Sequence, residues 1–384
     1  MKKLLYLIFG LPVLLFSQSL DDLEFGTEKT FDIVTWNIEF FPKNDQTTIQ
    51  YVASIVEAMD ADLIAIQEIS DYFAWNELVA YLNDYSGYRQ SINNRGLGYL
   101  YKADVVQIND GFELFTQDPE ANNFPRYPMV LDLVYAGERF VVINNHYKCC
   151  GNGDLDPTDP WDEETRRLNA NLLLKGYIDA ELEGLKVILL GDLNDILTDP
   201  IGDNVFNAFL DDTDNYLFTD IGIANGSSEN WSFPNWPSHL DHILITNELF
   251  DLFTSEGASI ETLRIEDYLQ NGWDEYAQNV SDHRPVGLKL PLDQKLGNQE
   301  MVGVSALMNT PNPIKGSTTF MLSDYSVDII KIYIYNIQGQ LLFSKEFAAG
   351  QKEITIDLSN IAAGVHIAQL EIAGVVDTVK IVKL

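Results

Sequence analysis

Six short polar clusters recur along the chain, each at one end of an apolar run and each offering carboxylate, carboxamide or imidazole. They are Trp36-Asn37-Ile38-Glu39, Gln67-Glu68, Asn144-Asn145-His146, Gly191-Asp192-Leu193-Asn194, Asp241 within SHLDHILIT, and Ser281-Asp282-His283. Taken singly, an Asp or Asn after a strand is a turn former, and a lone Glu or His is a solvated or satisfied polar group. Six in succession ask for more. Oxygen donors of this kind select Mg²⁺, with Mn²⁺ or Ca²⁺ as substitutes, over zinc, and no Cys or His cluster stands at zinc spacing. A hard cation beside imidazolium neutralises the charge that develops on a phosphodiester under attack. A carboxylate or His within hydrogen-bond reach of water supplies the base.

The ordered set WN-x-E, QE, NH, GD-x-N, LD and SDH resembles the endonuclease/exonuclease/phosphatase superfamily, over about Phe31 to Leu290. The resemblance implies a metal-dependent phosphoric ester hydrolase on an α/β fold, a four-layer α/β/β/α sandwich with two mixed sheets. It implies Glu68 as the principal metal carboxylate, with Asn37, Glu39 and Asp282 completing or adjoining the metal site. Asp192 and Asn194 would orient or deprotonate the attacking water and hold the phosphate. His146 and His283 would be the two imidazoles at the scissile phosphate, with Asp241 behind His283 to fix its tautomer. Which residue is the base stays open. Arg95 and Arg126 stand where family members often carry Arg, and Lys148 follows His146 by two residues. These three are candidate substrate contacts, with a structural ion pair as the competing reading in so acidic a chain.

The elements that must position these groups can be read from periodicity. Phe31–Ile38 alternates as a strand does, and Asp62–Ile69 is a near-continuous apolar run suited to a strand covered on both faces. Further strands are expected at Leu97–Ile108, Met129–Tyr135, Phe140–His146, Lys186–Leu190, His242–Thr246 and Pro285–Leu290. Asp45 opens a helix with apolar residues from Ile49 to Met59 at helical spacing, and Asp159-Pro160 opens a second through about Ala180. The intervening GNGDLDPTDPWDEE is rich in acid. It reads as helix capping and solvated charge, or as a calcium loop without EF-hand spacing. Trp231, Phe233 and Trp236 read as packing beneath the rim of the site, with base stacking the alternative.

Composition sets limits on the partners. The 384 residues hold 58 acids against 24 Lys and Arg, for a formal −34. From Met301 onward six lysines meet seven acids, so the body between the leader and Met301 carries about −35. Such a body repels polyanions and has no broad basic face for nucleic acid; phosphate chemistry must rest on a local cation site. Salt would screen that repulsion. Lys2 and Lys3, the apolar run Leu4–Phe16 and the small residues after it form a secretory leader, residues 1–19. No other stretch is long and apolar enough to cross a bilayer. Cys149 and Cys150 are adjacent, which leaves free thiols or a vicinal bridge as the two readings.

The expected order of parts is leader 1–19, catalytic domain 28–292, linker 293–308 and a small β-sandwich at 309–384 with short alternating strands. Asn312-Pro313, IYNIQGQLL, IDLSNIAAGVHIAQL and the closing VKIVKL resemble type A sorting domains of the type IX secretion system, with His366 where that family usually has Tyr. The resemblance implies that the secretion machinery is a partner and that the protein is secreted or held at the cell surface. The expected function is an extracellular nuclease on DNA or RNA, a monomer without stable membrane insertion. The alternatives are a phosphatase or a sphingomyelinase-like phospholipid phosphodiesterase, and a non-catalytic surface binding protein.

Overall fold

The structure, a computed structural model, describes residues 19–89, 96–292, 308–310, 313–321, 329–336, 339–372 and 375–384. The leader (apart from Ser19), Arg95 and nearly all of the expected linker lie outside the described residues. The chain divides into two compact units, Met1–Gln294 and Lys295–Leu384.

The first unit has twelve described strands: β1 (Thr30–Phe41), β2 (Leu63–Ile69), β3 (Tyr85–Tyr88), β4 (Gly98–Lys102), β5 (Val106–Glu113), β6 (Met129–Tyr135), β7 (Glu138–His146), β8 (Lys186–Asp192), β9 (Tyr216–Phe218), β10 (Asp241–Thr246), β11 (Ser259–Thr262) and β12 (Val286–Pro291). They form two six-stranded sheets, in the orders β11-β12-β1-β2-β4-β3 and β5-β6-β7-β8-β10-β9. Each sheet is mixed, with one parallel pair at its centre, β1 with β2 and β7 with β8. Three long helices flank them: α1 (Asp45–Met59), α2 (Tyr72–Tyr81) and α3 (Glu163–Glu181).

Alternation along the strands explains the layering. On β1, Ile33 faces the second sheet with Leu63, Ala65, Leu131, Val142, Ile188 and Ile243. Its neighbours Val34 and Trp36 face the other way, onto Ile49, Val52 and Val56 of α1. Val141, Ile143 and Leu189 of the second sheet pack on Ala170, Leu174 and Ile178 of α3. Three apolar seams therefore separate four layers, α/β/β/α, and strands buried on both faces read as unbroken apolar runs.

Two boundaries differ from the sequence expectation. Leu97–Ile108 is not one strand: a turn at residues 103–105 separates β4 from β5, and the two belong to different sheets. The third helix starts at Glu163 rather than after Asp159. Asp162 is its cap, accepting from Thr165 N at 2.8 Å, whereas Asp159 closes the preceding turn by accepting from Trp161 N at 2.8 Å.

The second unit is all β. It comprises β13 (Met308–Thr310), β14 (Ser317–Met321), β15 (Ile330–Asn336), β16 (Leu341–Phe347), β17 (Glu353–Asp357), β18 (Gly364–Ile372) and β19 (Val375–Lys383). These make a three-stranded sheet, β13-β14-β17, and a four-stranded sheet, β16-β15-β18-β19. Phe320, Ile332, Ile354, Ile356, Leu370 and Ile381 fill its core.

Candidate active site

The two parallel pairs place four strand ends at one end of the sandwich. β7 and β8 run in register so that His146 lies opposite Asp192, and β10 returns antiparallel with Asp241 also opposite Asp192. Gly191 permits this closeness. Its φ is +143°, and a Cβ there would stand 1.9 Å from the carbonyl oxygen of Asn145. By alternation Asn37, His146 and Asp192 point between the sheets as the apolar residues before them do, and Asp241 as Ile243 and Ile245 after it do.

Glu68 is the exception. Strict alternation would put it on the helix face with Ile64 and Ile66, yet its backbone sits at φ +65°. The left-handed turn brings its carboxylate to Asn37, whose Nδ2 donates to Glu68 Oε1 at 3.2 Å and to Asp192 Oδ2 at 2.9 Å. The other oxygen, Oε2, accepts from the backbone N of Phe40 at 2.9 Å. Glu39, Phe40 and Asn194 also have positive φ, so backbone that L-residues rarely adopt is concentrated around the site.

His283 closes the cluster. Its Nδ1 donates to Asp241 Oδ2 at 2.7 Å, and its Nε2 lies 3.8 Å from Asp192 Oδ2. His146 Nε2 lies 3.4 Å from the same Asp192 oxygen and 3.7 Å from Glu68 Oε1. Asn194 N donates to Asp192 Oδ1 at 3.1 Å, and its side chain reaches the carbonyl of Tyr147 at 3.4 Å. Ser281 ties the last loop to the first strand, donating to the Asn37 carbonyl at 2.6 Å and accepting from His283 N at 3.0 Å.

Charge divides the two imidazoles. Burial alone would lower His283, but the carboxylates of Asp241 and Asp192 outweigh it and push it up to about 10. His146 is held well below its ordinary value by burial, with the charges of Arg126 and His283 adding to the effect. At neutral pH one ring is an imidazolium and the other is neutral. Burial pushes Asp192 up to about 6 despite His283, with Asp241 and Glu68 adding repulsion. Asp282 rises to about 6, chiefly through burial, with Glu39 adding to it.

Carboxylates held above their ordinary range by burial and by one another mark a place short of positive charge. Glu68 and Asp192 are hard oxygen donors joined through Asn37, whose Nδ2 faces both while its Oδ1 accepts from Glu39 N at 3.0 Å, so the carboxylates fit a divalent cation of the Mg²⁺ type. Glu39 is engaged elsewhere: it pairs with Lys43, whose ammonium also donates to the Ala277 carbonyl at 2.6 Å.

The substrate-contact candidates separate. Arg126 is half-buried, near enough to His146 to depress it, and forms no ion pair among the described residues. Lys148 donates to the Cys149 carbonyl at 2.8 Å and lies 3.5 Å from Glu163, the ion-pair reading. Arg95 lies outside the described residues. In the acidic loop, Asp156, Asp159 and Asp162 accept from backbone N–H groups one turn on, and buried Glu164 pairs with Arg167 at 3.2 Å. Cys149 and Cys150 are exposed thiols, Cys150 Sγ donating to Cys149 Sγ at 2.9 Å.

Sequence reasoning missed the supports. Tyr276 OH donates to the His283 carbonyl at 2.6 Å and accepts from Trp36 Nε1 at 2.9 Å. Ser232 Oγ accepts from Asp241 N at 3.2 Å. A second cluster was missed outright. Asp220, His239 and His242 meet in the layer beneath β10, with His242 Nδ1 at 2.6 Å and His239 Nε2 at 3.0 Å from Asp220 Oδ2. Nothing in their spacing announces it, although His242 directly follows Asp241.

Comparison with known proteins agrees with this geometry. The Endonuclease/Exonuclease/phosphatase family profile matches residues 34–283, and the profile of the Secretion system C-terminal sorting domain matches residues 310–384. A search of curated proteins gives no significant match. Among solved structures, humanized D. rerio TDP2 carrying 14 mutations aligns with TM-score 0.52 at 13% identity, covering 69% of this chain and 100% of that one. D. rerio TDP2 complexed with a single-strand DNA product aligns with TM-score 0.50 at 13% identity, covering 68% and 98%. These likenesses establish the fold. With the family profile spanning 34–283 and the sorting profile spanning the end, the chain belongs to the Endonuclease/Exonuclease/phosphatase family of metal-dependent phosphoric ester hydrolases and ends in a type IX sorting domain.

Proposed function

We propose that the protein is an exported phosphodiesterase that cleaves nucleic acid with the help of a divalent cation. The observation that carries the reading is the convergence of Glu68, Asn37, His146, Asp192 and the Asp241–His283 pair at one end of the sandwich. Glu68, Asn37 and Asp282 would hold Mg²⁺, with Glu39 alongside. When bound, the ion withdraws charge from the phosphate oxygens.

The chain's own residues do the rest. His283, an imidazolium oriented by Asp241, faces the developing negative charge and can pass a proton toward the departing oxygen. Asp192, fixed by Asn37 and by Asn194 N, is placed to take a proton from water. Asn194 and Arg126 offer N–H groups to the phosphate. Neutral His146 adds a hydrogen bond without changing the net charge. The sorting domain supports release from the cell or display on its surface, and the apolar run Leu4–Phe16 supports a cleaved leader as the route out. Among the described residues no helix is long and apolar enough to cross a membrane.

The test is an assay of the full chain on plasmid DNA, RNA, bis-p-nitrophenyl phosphate and sphingomyelin, with Mg²⁺, Mn²⁺, Ca²⁺ or EDTA. Cleavage of nucleic acid that needs metal and disappears in His283→Ala is the expected result. The acidity of the body favours a second reading, a small or lipid phosphoester as substrate; turnover of those alone would establish it.

A further inference from the structure

The large exposed aromatics of the first unit gather at one end, whereas the exposed aliphatic Leu172 lies within α3 and Ile201 in the connection after β8. Among the described residues, the exposed aromatics of that unit are Phe40 (66%), Tyr72 (54%), Phe73 (81%), Tyr81, Trp161 (67%) and Trp236 (80%). All but Tyr81 belong to connections at the strand ends that carry the site. Phe40 is in the irregular end of β1, between Glu39 and the cis bond to Pro42. Tyr72 and Phe73 open α2 directly after β2, and the Ser70 and Asp71 N–H groups bond the Phe41 carbonyl, so these two connections adjoin. Trp161 stands just before α3, in the connection that leaves β7. Trp236 tips a short hairpin closed by the Phe233–Ser238 bridge, and the Phe233 ring lies 4.8 Å from that of His283.

Exposing an aromatic ring forgoes the free energy of burying it. Single cases are ordinary, but segregation to one end marks an interaction surface. The cations of the same region are mostly committed: Lys43 to Glu39, Lys148 to Glu163, Arg167 to Asp195 and Glu164, and Arg284 to Glu266. A surface of flat rings with few available cations cannot grip the phosphates of a duplex, whose bases are hidden in the stack. It can hold bases that are already unpaired, because every base has a face to stack and stacking tolerates any sequence. A lipid surface fits less well, because the rings sit one or two per connection rather than on one apolar face, and the lysines described near them are paired with carboxylates.

We propose that this aromatic rim receives the unpaired bases of a single strand on either side of the reacting phosphate, so that single-stranded nucleic acid is the substrate class preferred over duplex. The inference rests on the phosphodiesterase reading above.

The full chain is assayed with Mg²⁺ or Mn²⁺ on one oligonucleotide sequence as a single strand and as a duplex, on sphingomyelin vesicles and on bis-p-nitrophenyl phosphate. The expected result is at least tenfold higher kcat/KM on the single strand. Phe73→Ala and Trp236→Ala should each raise KM for it about fivefold or more, leaving kcat on the small diester unchanged, while Tyr81→Ala should match the parent protein on every substrate. Equal cleavage of duplex, or an unmoved KM in both rim variants, overturns the inference while the hydrolase reading stands. Turnover of the vesicles with rim-dependent KM and no cleavage of the strand overturns it in favour of lipid. No turnover of any of these substrates with any metal removes the hydrolase reading, and the inference falls with it.

Discussion

Adjacent residues on β10 build two clusters of the same chemistry with different fates. Asp241 points between the sheets and pairs with His283; His242 points toward the outer layer and pairs with Asp220. Both imidazoles are buried, and in both a carboxylate outweighs burial and raises the ring. They differ in what the second nitrogen meets. His242 Nε2 is bonded to the Asp195 carbonyl at 2.9 Å, and the ring is enclosed by Phe206 and Phe218. His283 Nε2 has only the Asp192 carboxylate at 3.8 Å, at the end where the strand termini converge. A buried imidazolium–carboxylate pair is structural when every N–H is spent and chemical when one remains to be used.

That contrast can be broken in either direction. His283→Ala should lower kcat by about 10³-fold or more, within the range of a lost general acid, while the folded state persists by circular dichroism. Asp220→Asn should do the reverse. It leaves the His242 charge buried and uncompensated, and denaturant titration should show a loss of about 3 kcal/mol or more, with kcat of the folded protein within about tenfold of the parent. A catalytic defect larger than the stability defect in Asp220→Asn would erase the distinction.

Smaller effects sharpen it. Glu68→Gln should weaken Mg²⁺ or Mn²⁺ binding by more than about tenfold by calorimetry, whereas Asp220→Asn should leave metal affinity unmoved. The smallest effect is in pH. His242 is raised above 6.5, so its contribution is complete below that value and is lost as pH rises through the folded-state value. Asp220 is depressed below 3.8, so its contribution is present above that value and is lost as pH falls. The pair should therefore stabilise most between about pH 4 and 6.5. Subtracting the Asp220→Asn stability curve from that of the parent should show a plateau there. On either side it should decline, by at most about 1.4 kcal/mol for each step of one in pH, the limit for a single proton.

The sequence was informative wherever one face of a strand decides the outcome. Apolar runs ending in Asn37, His146 and Asp192, and the one that begins at Asp241, could be followed because alternation continues past the terminal apolar residue into the site. Alternation by itself fails where the backbone leaves it, and there the assignment of Glu68 comes from the family resemblance instead. Glu68 reaches Asn37 only through a positive φ, and residues 103–105 turn one apparent strand into two in different sheets. Sequence reasoning also fails where partners are distant and of common type. Asp220 lies among ordinary loop acids, and only the fold shows that it sits between two histidines 19 and 22 residues away. Lys148 leaves two readings open, phosphate or an ion pair, and only the fold brings Glu163 to within 3.5 Å of it.

The pairing of β1 with β12, from Thr30 with Pro291 to Thr35 with Val286, joins the beginning of the first unit to its end. The bond from Ser281 to the Asn37 carbonyl spans 244 residues. Such contacts are costly to form, because the loop they close must lose its freedom. A chain interrupted before β12 would carry Asn37, Glu68, His146 and Asp192 without the strand that anchors His283. If His283 acts as proposed, latency is a property of the topology: the first unit of a growing chain lacks its anchored imidazole until β12 arrives.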